Sequence, residues 1–267
     1  MEPALLKKQL NKMKRVAIKE NLDYNCLAED TELSFEVASN LEITLTLKNV
    51  EVAPSINIDV ADNTILHLAI FAKNPIDNSK ITANIGENSK IIAYYADFTT
   101  EKNQLSVNVN LNKYNANCEW HLASLSSHAD DKEIAVSIYH NHSNTFGRID
   151  NYGVCKENSK LIFSGVSHII KGCHQSASHQ NAKIVVFDDG CKAIARPVLR
   201  IDENDIEASH AAVVGKVSDD HIFYLTSRGL NIDEAKLLIT MGYLKPILRG
   251  FDDETAVEIE TLIEGRL

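Results

Sequence analysis

Apolar and polar residues alternate along most of the chain between residues 24 and 225. The alternation is clear in residues 41–48, 56–60, 105–111 and 134–138, and it is typical of half-buried β-strands. Asn, Asp, Gly and Ser clusters separate these short segments, and no helical period stands between them. The pattern predicts a mainly β protein, which leaves a sandwich, a barrel or a β-solenoid as the architecture.

An internal echo favours the solenoid. The segment Glu-Asn-Ser-Lys-Ile-Ile at residues 87–92 returns as Glu-Asn-Ser-Lys-Leu-Ile at residues 157–162. In a solenoid such an echo indicates one polar turn at the same corner of different coils. A tight turn that recurs in a sandwich would give the same echo.

Both ends of the chain show a helical period instead. Residues 3–20 place Leu6, Leu10, Met13 and Ala17 on one face among many lysines, which predicts an amphipathic helix. Such a helix either packs on the body of the protein or meets a membrane surface or an acidic partner.

The C-terminal region begins a second helical pattern at Asn231. This residue is a good N-cap, and Glu234 stands where a capping box requires it. A further helix is predicted after the acidic pair at residues 252–253. These signals divide the chain into an N-terminal helix (1–22), a β core (23–226) and a C-terminal helical segment (227–267).

Charge and cysteine content narrow the function classes. The formal net charge of −10 argues against a nucleic-acid partner, because phosphate binding needs clustered Lys and Arg. Apolar runs fall well short of the ~20 residues that span a bilayer. The first residues do not have the pattern of a secretory signal, and the five cysteines are then expected as reduced thiols in the cytoplasm.

Three cysteines are candidates for metal chemistry. Cys155, Cys173 and Cys191 follow one another at intervals of 18 residues, and a coil of that length would align them in a column. Thiolates in a column, with His174 beside them, suit iron or another soft metal. Buried free cysteines also fill cores as small apolar residues, so both interpretations stay open.

Residues 197–242 resemble the C-terminal signature of the SufB/SufD family, the scaffold proteins of iron–sulfur cluster assembly. The chain has a Pro-x-Leu-x-Ile strand, an acidic linker, Ser-His-Ala-Ala, and then Phe-Tyr-Leu-x-Ser-Arg-Gly before a helix. The resemblance is to a short, SufD-like member. It implies a right-handed parallel β-helix with a short N-terminal helix and C-terminal helices.

The resemblance also implies roles for individual residues. His210 would lie in a turn after the last core strand and act as a cluster ligand, or hydrogen-bond its own turn or a partner chain. The weaker ligand candidates are Cys173, Cys191, Cys155 and His174. The dimer interface would include Pro197, Leu199, Ile201, Ser209 and His210. Partner binding would involve Arg228, Gly229, Ala235, Leu238, Ile239 and Gly242.

The expected function is that of a non-catalytic scaffold. The resemblance implies a dimer with a second copy or with a SufB-like paralogue, docking of a SufC-like ABC ATPase on the C-terminal helices, and a transient iron–sulfur cluster. The chain carries no Walker A loop, nucleophile elbow or dinucleotide fingerprint. The alternative is a β-helix carbohydrate-binding or carbohydrate-active protein.

Overall fold

The computed structural model describes residues 13–52 and 55–266, and in them the chain winds into a parallel β-solenoid. Successive strands alternate between two sheets, so that every coil adds one strand to each. The strands are β1 (Lys14–Ile18), β2 (Leu22–Asn25), β3 (Glu32–Val37), β4 (Glu42–Lys48), β5 (Ser55–Val60), β6 (Ile65–Ala72), β7 (Ile76–Ile85), β8 (Lys90–Asp97), β9 (Lys102–Leu111), β10 (Asn117–Ser126), β11 (Asp131–His140), β12 (Phe146–Cys155), β13 (Lys160–Ile169), β14 (Ser176–Val186), β15 (Lys192–Ile201) and β16 (Ile206–Lys216).

The two sheets are stacked face to face. The odd sheet runs β1-β3-β5-β7-β9-β11-β13-β15, and the even sheet runs from β2 to β16 in the same way. Inward side chains of both sheets form one long core, with Phe35, Tyr95, Trp120 and Phe163 among its largest buried members. The prediction of a mainly β solenoid is therefore confirmed.

Asparagine makes the corners at which the chain passes from the odd sheet to the even sheet. Asn63, Asn88, Asn115 and Asn144 all adopt a positive φ there, between 51° and 58°. Asparagine tolerates this left-handed conformation better than most residues. The asparagine-rich turns of the sequence therefore set the spacing of the coils.

The predicted echo is real as a turn, but the prediction that it marks the same corner is wrong. Residues 87–89 link β7 to β8, an odd-to-even corner, whereas residues 157–159 link β12 to β13 on the opposite side. The left-handed residue is Asn88 in the first turn and Glu157 in the second. Similar letters thus serve two different turns.

Three α-helices follow the last strand: α1 (Asp219–Ser227), α2 (Ile232–Leu244) and α3 (Asp253–Glu264). A short 3-10 helix, Lys245–Gly250, joins α2 to α3. The capping box predicted at Asn231 is present, with both reciprocal hydrogen bonds. No helix among the described residues is long and apolar enough to cross a membrane.

The C-terminal helices pack on the outer face of the even sheet. A second apolar core forms there, separate from the core inside the solenoid. The sheet contributes Phe71, Phe98 and Leu125, and the helical segment contributes Leu244, Ile247, Ile259 and Ile263. The helical segment is therefore part of the folded body.

Two predicted boundaries need correction. Residues 14–18 of the predicted N-terminal helix form strand β1, because pairing with β3 outweighs their helical spacing; residues 1–12 lie outside the described residues. At the other end, the solenoid stops at Lys216 and α1 starts at Asp219, before the predicted boundary at 227. Ser218 caps α1 by accepting a hydrogen bond from the Asp220 backbone N–H.

Candidate functional site

The last coil leaves one end of the solenoid open. Strands β15 and β16 are the final strands of the two sheets, and we call them together the open end. Their burial differs from that of earlier strands, since β16 has no buried residue. The inward faces that a further coil would cover are thus accessible at this end.

Strand register shows which predicted interface residues face the interior. Pro197, Leu199 and Ile201 lie beside Gly165, Ser167 and Ile169 of β13, which are buried inside the solenoid. Neighbouring strands share the direction of their side chains at paired positions. The three predicted interface residues of β15 therefore point inward at the open end, where they are partly buried.

His210 lies within β16, not in a turn, so that part of the prediction is wrong. It pairs in register with Gln180 of β14, and Gln180 is buried in the solenoid. His210 consequently faces the interior at the open end, where it is exposed. Its neighbour Ser209 faces outward and hydrogen-bonds His179 Nδ1 at 2.8 Å. The two predicted residues are thus on opposite faces of one strand.

Polar side chains lie inside the solenoid beneath His210. Gln180 donates from Nε2 to Ser167 Oγ at 2.8 Å and to the Val198 carbonyl at 3.0 Å. Ser178 hydrogen-bonds the same Ser167 hydroxyl at 2.7 Å. The side-chain oxygens of Gln180 and Asn151 are buried without a partner among the described residues. The core is polar only beneath this end of β14, and sequence alternation alone does not reveal this.

The three cysteines do not form a column. Register near them advances by 29 residues between Asp131 and Lys160 and by 32 between Lys160 and Lys192, so a step of 18 is little more than half a coil. Cys155 and Cys191 meet at one corner, where Cys191 Sγ is 3.6 Å from the Glu157 carbonyl. Cys173 lies at the opposite corner.

Burial governs the chemistry of these thiols. It raises the pKa of the Cys155 thiol to about 12, and it also raises the pKa of Cys173. Cys173 Sγ lies 3.2 Å from the His140 carbonyl, while His174 is exposed and 3.4 Å from Glu203 Oε1. No three His, Cys, Asp or Glu side chains are grouped to hold a metal ion within residues 13–52 and 55–266.

The predicted partner-binding residues divide between two faces of α2. Ala235 is fully buried and Ile239 packs on the second apolar core, whereas Leu238 is 53% exposed. Gly229 ends the preceding turn with a φ of +99°, a conformation that favours glycine. Arg228 lies over the Tyr224 ring, 5.2 Å from its centroid.

Helix α1 adds aromatic residues that the sequence analysis did not assign to partner binding. Phe223 is 72% exposed and Tyr224 is 56% exposed, and Ile232 at the start of α2 is also exposed. Helix α1 has no buried residue. We call Phe223, Tyr224, Ile232 and Leu238 the helical patch. A wheel plot of residues 219–227 would have identified it, since the aromatic pair lies away from Ile222 and Leu225.

A family model described as "SUF system FeS cluster assembly, SufBD core domain" matches residues 25–243. The match covers the solenoid, α1 and most of α2. The chain belongs to the SufBD core family. The predicted resemblance to the SufB/SufD proteins is thereby confirmed, and the chain is a member of a family of the SUF system of iron–sulfur cluster assembly.

Individual SufBD relatives match about half of the chain. The iron–sulfur cluster assembly protein SufD of Bacillus subtilis is 32% identical over 117 residues, which are 44% of this chain and 27% of that protein. A SufBD family protein of Mycobacterium leprae is 32% identical over 133 residues, 50% of this chain and 15% of that protein. The matched segments thus span no more than about a quarter of these two relatives.

Proposed function

We propose that this protein is a non-catalytic scaffold of SUF-type iron–sulfur cluster assembly and that its open end is the assembly surface. The observation that carries the proposal is the family match over residues 25–243, combined with an end of the solenoid that no further coil covers. The same match favours cluster assembly over carbohydrate binding. Five free thiols are consistent with action in the reducing cytoplasm.

Pairing at the open end supplies the second half of the scaffold. Edge strands present free backbone N–H and C=O groups and invite pairing with another chain. Here the edge also carries exposed apolar side chains, namely Val198, Val213 and Val214. The partner is a second copy of this chain or a SufB-like paralogue.

The helical patch is the proposed docking surface for a SufC-like ABC ATPase. Exposed aromatic side chains are frequent anchors of protein interfaces, and Phe223 and Tyr224 follow the acidic first turn of α1. An amphipathic helix in a groove is a common mode of recognition. ATP-driven closure of that ATPase would strain the paired scaffold at the open end.

His210 is the proposed cluster ligand because it is the imidazole that faces the pairing surface. Its inward position above Gln180 directs it toward the partner chain, which would supply the remaining ligands. Imidazole and thiolate are both suitable ligands for iron. The cluster is cargo of the assembly and is held transiently.

Anaerobic reconstitution of variants tests this assignment. His210→Ala should lower bound iron and sulfide to less than about half, because a ligand is lost, while the mass of the assembly stays unchanged. His179→Ala is the matched control, since His179 is on the adjacent strand and faces outward. Full cluster content in His210→Ala, with loss in Cys173→Ala or Cys191→Ala, would place the ligands among the cysteines and reject His210.

A further inference from the structure

A cleft separate from the open end runs between the outer face of the even sheet and the helical segment. It consists of two cavities of about 180 Å³ and 590 Å³. Tyr94 and Arg249 line both of them, so the two cavities meet at these residues. The smaller cavity, which we call the tyrosine cavity, combines aromatic walls with one acidic and one basic side chain.

Aromatic rings form the walls of the tyrosine cavity. Tyr94 stacks on His121 with ring centroids 5.0 Å apart, and Tyr152 and Tyr243 complete the lining. Gly250 packs directly on Tyr94, since a Cβ at that position would be 2.2 Å from Tyr94 Cγ. The ring faces are therefore held in place by the sheet and by the absence of a side chain at residue 250.

The acidic group of the cavity is Asp150. Its Oδ2 is 3.4 Å from His121 Nδ1, and within the described part of the chain its Oδ1 has no hydrogen-bond partner. The side chain is 19% exposed. A carboxylate that is mostly removed from water and has a free oxygen is a strong acceptor for a charged donor.

The basic group is Arg249, on the opposite wall. Residues 13–52 and 55–266 provide no hydrogen bond or ion pair to its guanidinium, although Asp150 lines the same cavity. Tyr94, His121 and Asp150 are register partners on β8, β10 and β12. Asp150 is thus about 10 Å from the Tyr94 end at ~4.8 Å per strand, and Gly250 brings Arg249 to that end.

We propose that the tyrosine cavity binds a free amino acid. Its ammonium would bind Asp150, its carboxylate would pair with Arg249, and its side chain would contact the tyrosine rings. Asp150 disfavours a simple anion in this cavity and Arg249 disfavours a simple cation, whereas a zwitterion satisfies both. Arginine binds carboxylates through two parallel N–H groups, and the aromatic faces attract the ammonium.

The size of the cavity agrees with this ligand class. Sites for drug-sized molecules usually measure roughly 300–1,000 Å³, so 180 Å³ suits a smaller molecule. The site is independent of the proposed scaffold function, because neither the open end nor the helical patch contributes to it.

Calorimetric titration of the full chain with each of the standard amino acids is the first experiment. At least one should bind with a dissociation constant below a millimolar. For that amino acid, Asp150→Asn and Arg249→Gln should each weaken binding by about tenfold or more, as expected for the loss of a hydrogen bond to a charged group. Arg228→Gln, which changes an exposed arginine on the helical patch, should leave binding unchanged.

Ligand analogues test each contact without relying on variants that fold poorly. The methyl ester lacks the carboxylate charge, so it should bind the original protein about tenfold more weakly and be insensitive to Arg249→Gln. The N-acetyl derivative should bind equally weakly and be insensitive to Asp150→Asn. Absence of binding by every amino acid, or an ester that binds as tightly as the free amino acid, would overturn the proposal.

Discussion

His140 is a buried histidine that links stability to pH. Its Nδ1 hydrogen-bonds Thr145 Oγ1 at 2.8 Å, and its Nε2 is buried without a partner among the described residues. Burial lowers its pKa from 6.5 to about 4, so the folded protein holds the imidazole neutral. The unfolded chain takes up the proton more readily, and stability that is complete above pH 6.5 is lost as pH falls toward 4.

The predicted loss from His140 between pH 7 and pH 5 is about 2 kcal/mol of unfolding free energy. Urea unfolding at the two pH values measures it, and His140→Gln should reduce the difference by that amount. His142→Gln is the control, because His142 is an exposed histidine of the next corner. An equal pH effect in the original protein and in His140→Gln would contradict the assignment.

At the scale of elements, Arg266 holds the C-terminal helix on the solenoid. Its guanidinium donates to the Ser127 hydroxyl, to the Thr99 carbonyl at 3.0 Å and to Asp130. The Asp130 side chain is only 5% exposed, so it would be left buried without its charged partner. Helix α3 is therefore fastened at its far end by charge and along its length by Ile259 and Ile263.

Arg266→Met should release α3 without unfolding the solenoid. Loss of charged hydrogen bonds to buried acceptors costs about 1.5–3 kcal/mol, which corresponds to about 10- to 150-fold faster hydrogen exchange in α3. Exchange in β8 to β12 should stay slow, and Arg228→Met should change neither. Unaltered exchange in α3 would show that apolar packing alone holds the helix.

The helical patch requires point variants as its test. Deletion of residues 230–267 would remove Leu244, Ile247 and Ile259 and expose the apolar outer face of the even sheet, so lost binding would not identify the docking surface. Phe223→Ser is the better change, because Phe223 has little contact with the body of the protein.

Phe223→Ser should weaken binding to a SufC-like ATPase by about 30-fold or more, the effect of losing an interface hot spot. The melting temperature should stay the same, since the side chain is already exposed. Isothermal calorimetry with purified ATPase gives the affinity, and Val257→Ser, an exposed apolar position on α3, is the control. Equal affinities would place the docking surface elsewhere.

The whole molecule is expected to be a dimer. The open end exposes an uncovered inner face and two strand edges, so light scattering at micromolar concentration should give twice the chain mass of 29.7 kDa. Leu199→Lys, on the inward face, should raise the dissociation constant about 10- to 100-fold through lost apolar burial. Val198→Lys, on the outward face of the same strand, should have a smaller effect. A monomeric mass for the original protein would contradict the pairing.

Local patterns were sufficient for the strands, the turns and the helix caps. Alternation along the chain reports which residues face a core, and a capping box such as that of Asn231 and Glu234 is a contact between near neighbours. The family signature in residues 197–242 is also a local pattern. For these reasons the solenoid, the C-terminal helices and the family were predictable from the residues in order.

Long-range packing decided the remaining features. The coil near the cysteines is about 30 residues long rather than 18, so Cys155 and Cys191 meet and Cys173 does not join them. Residues 14–18 have helical spacing, yet β3 offers them a strand edge. The inward direction of His210 depends on its pairing with Gln180. The tyrosine cavity needs β8, β12 and the 3-10 segment at once, and contacts between residues so distant in the chain leave no periodic trace in it.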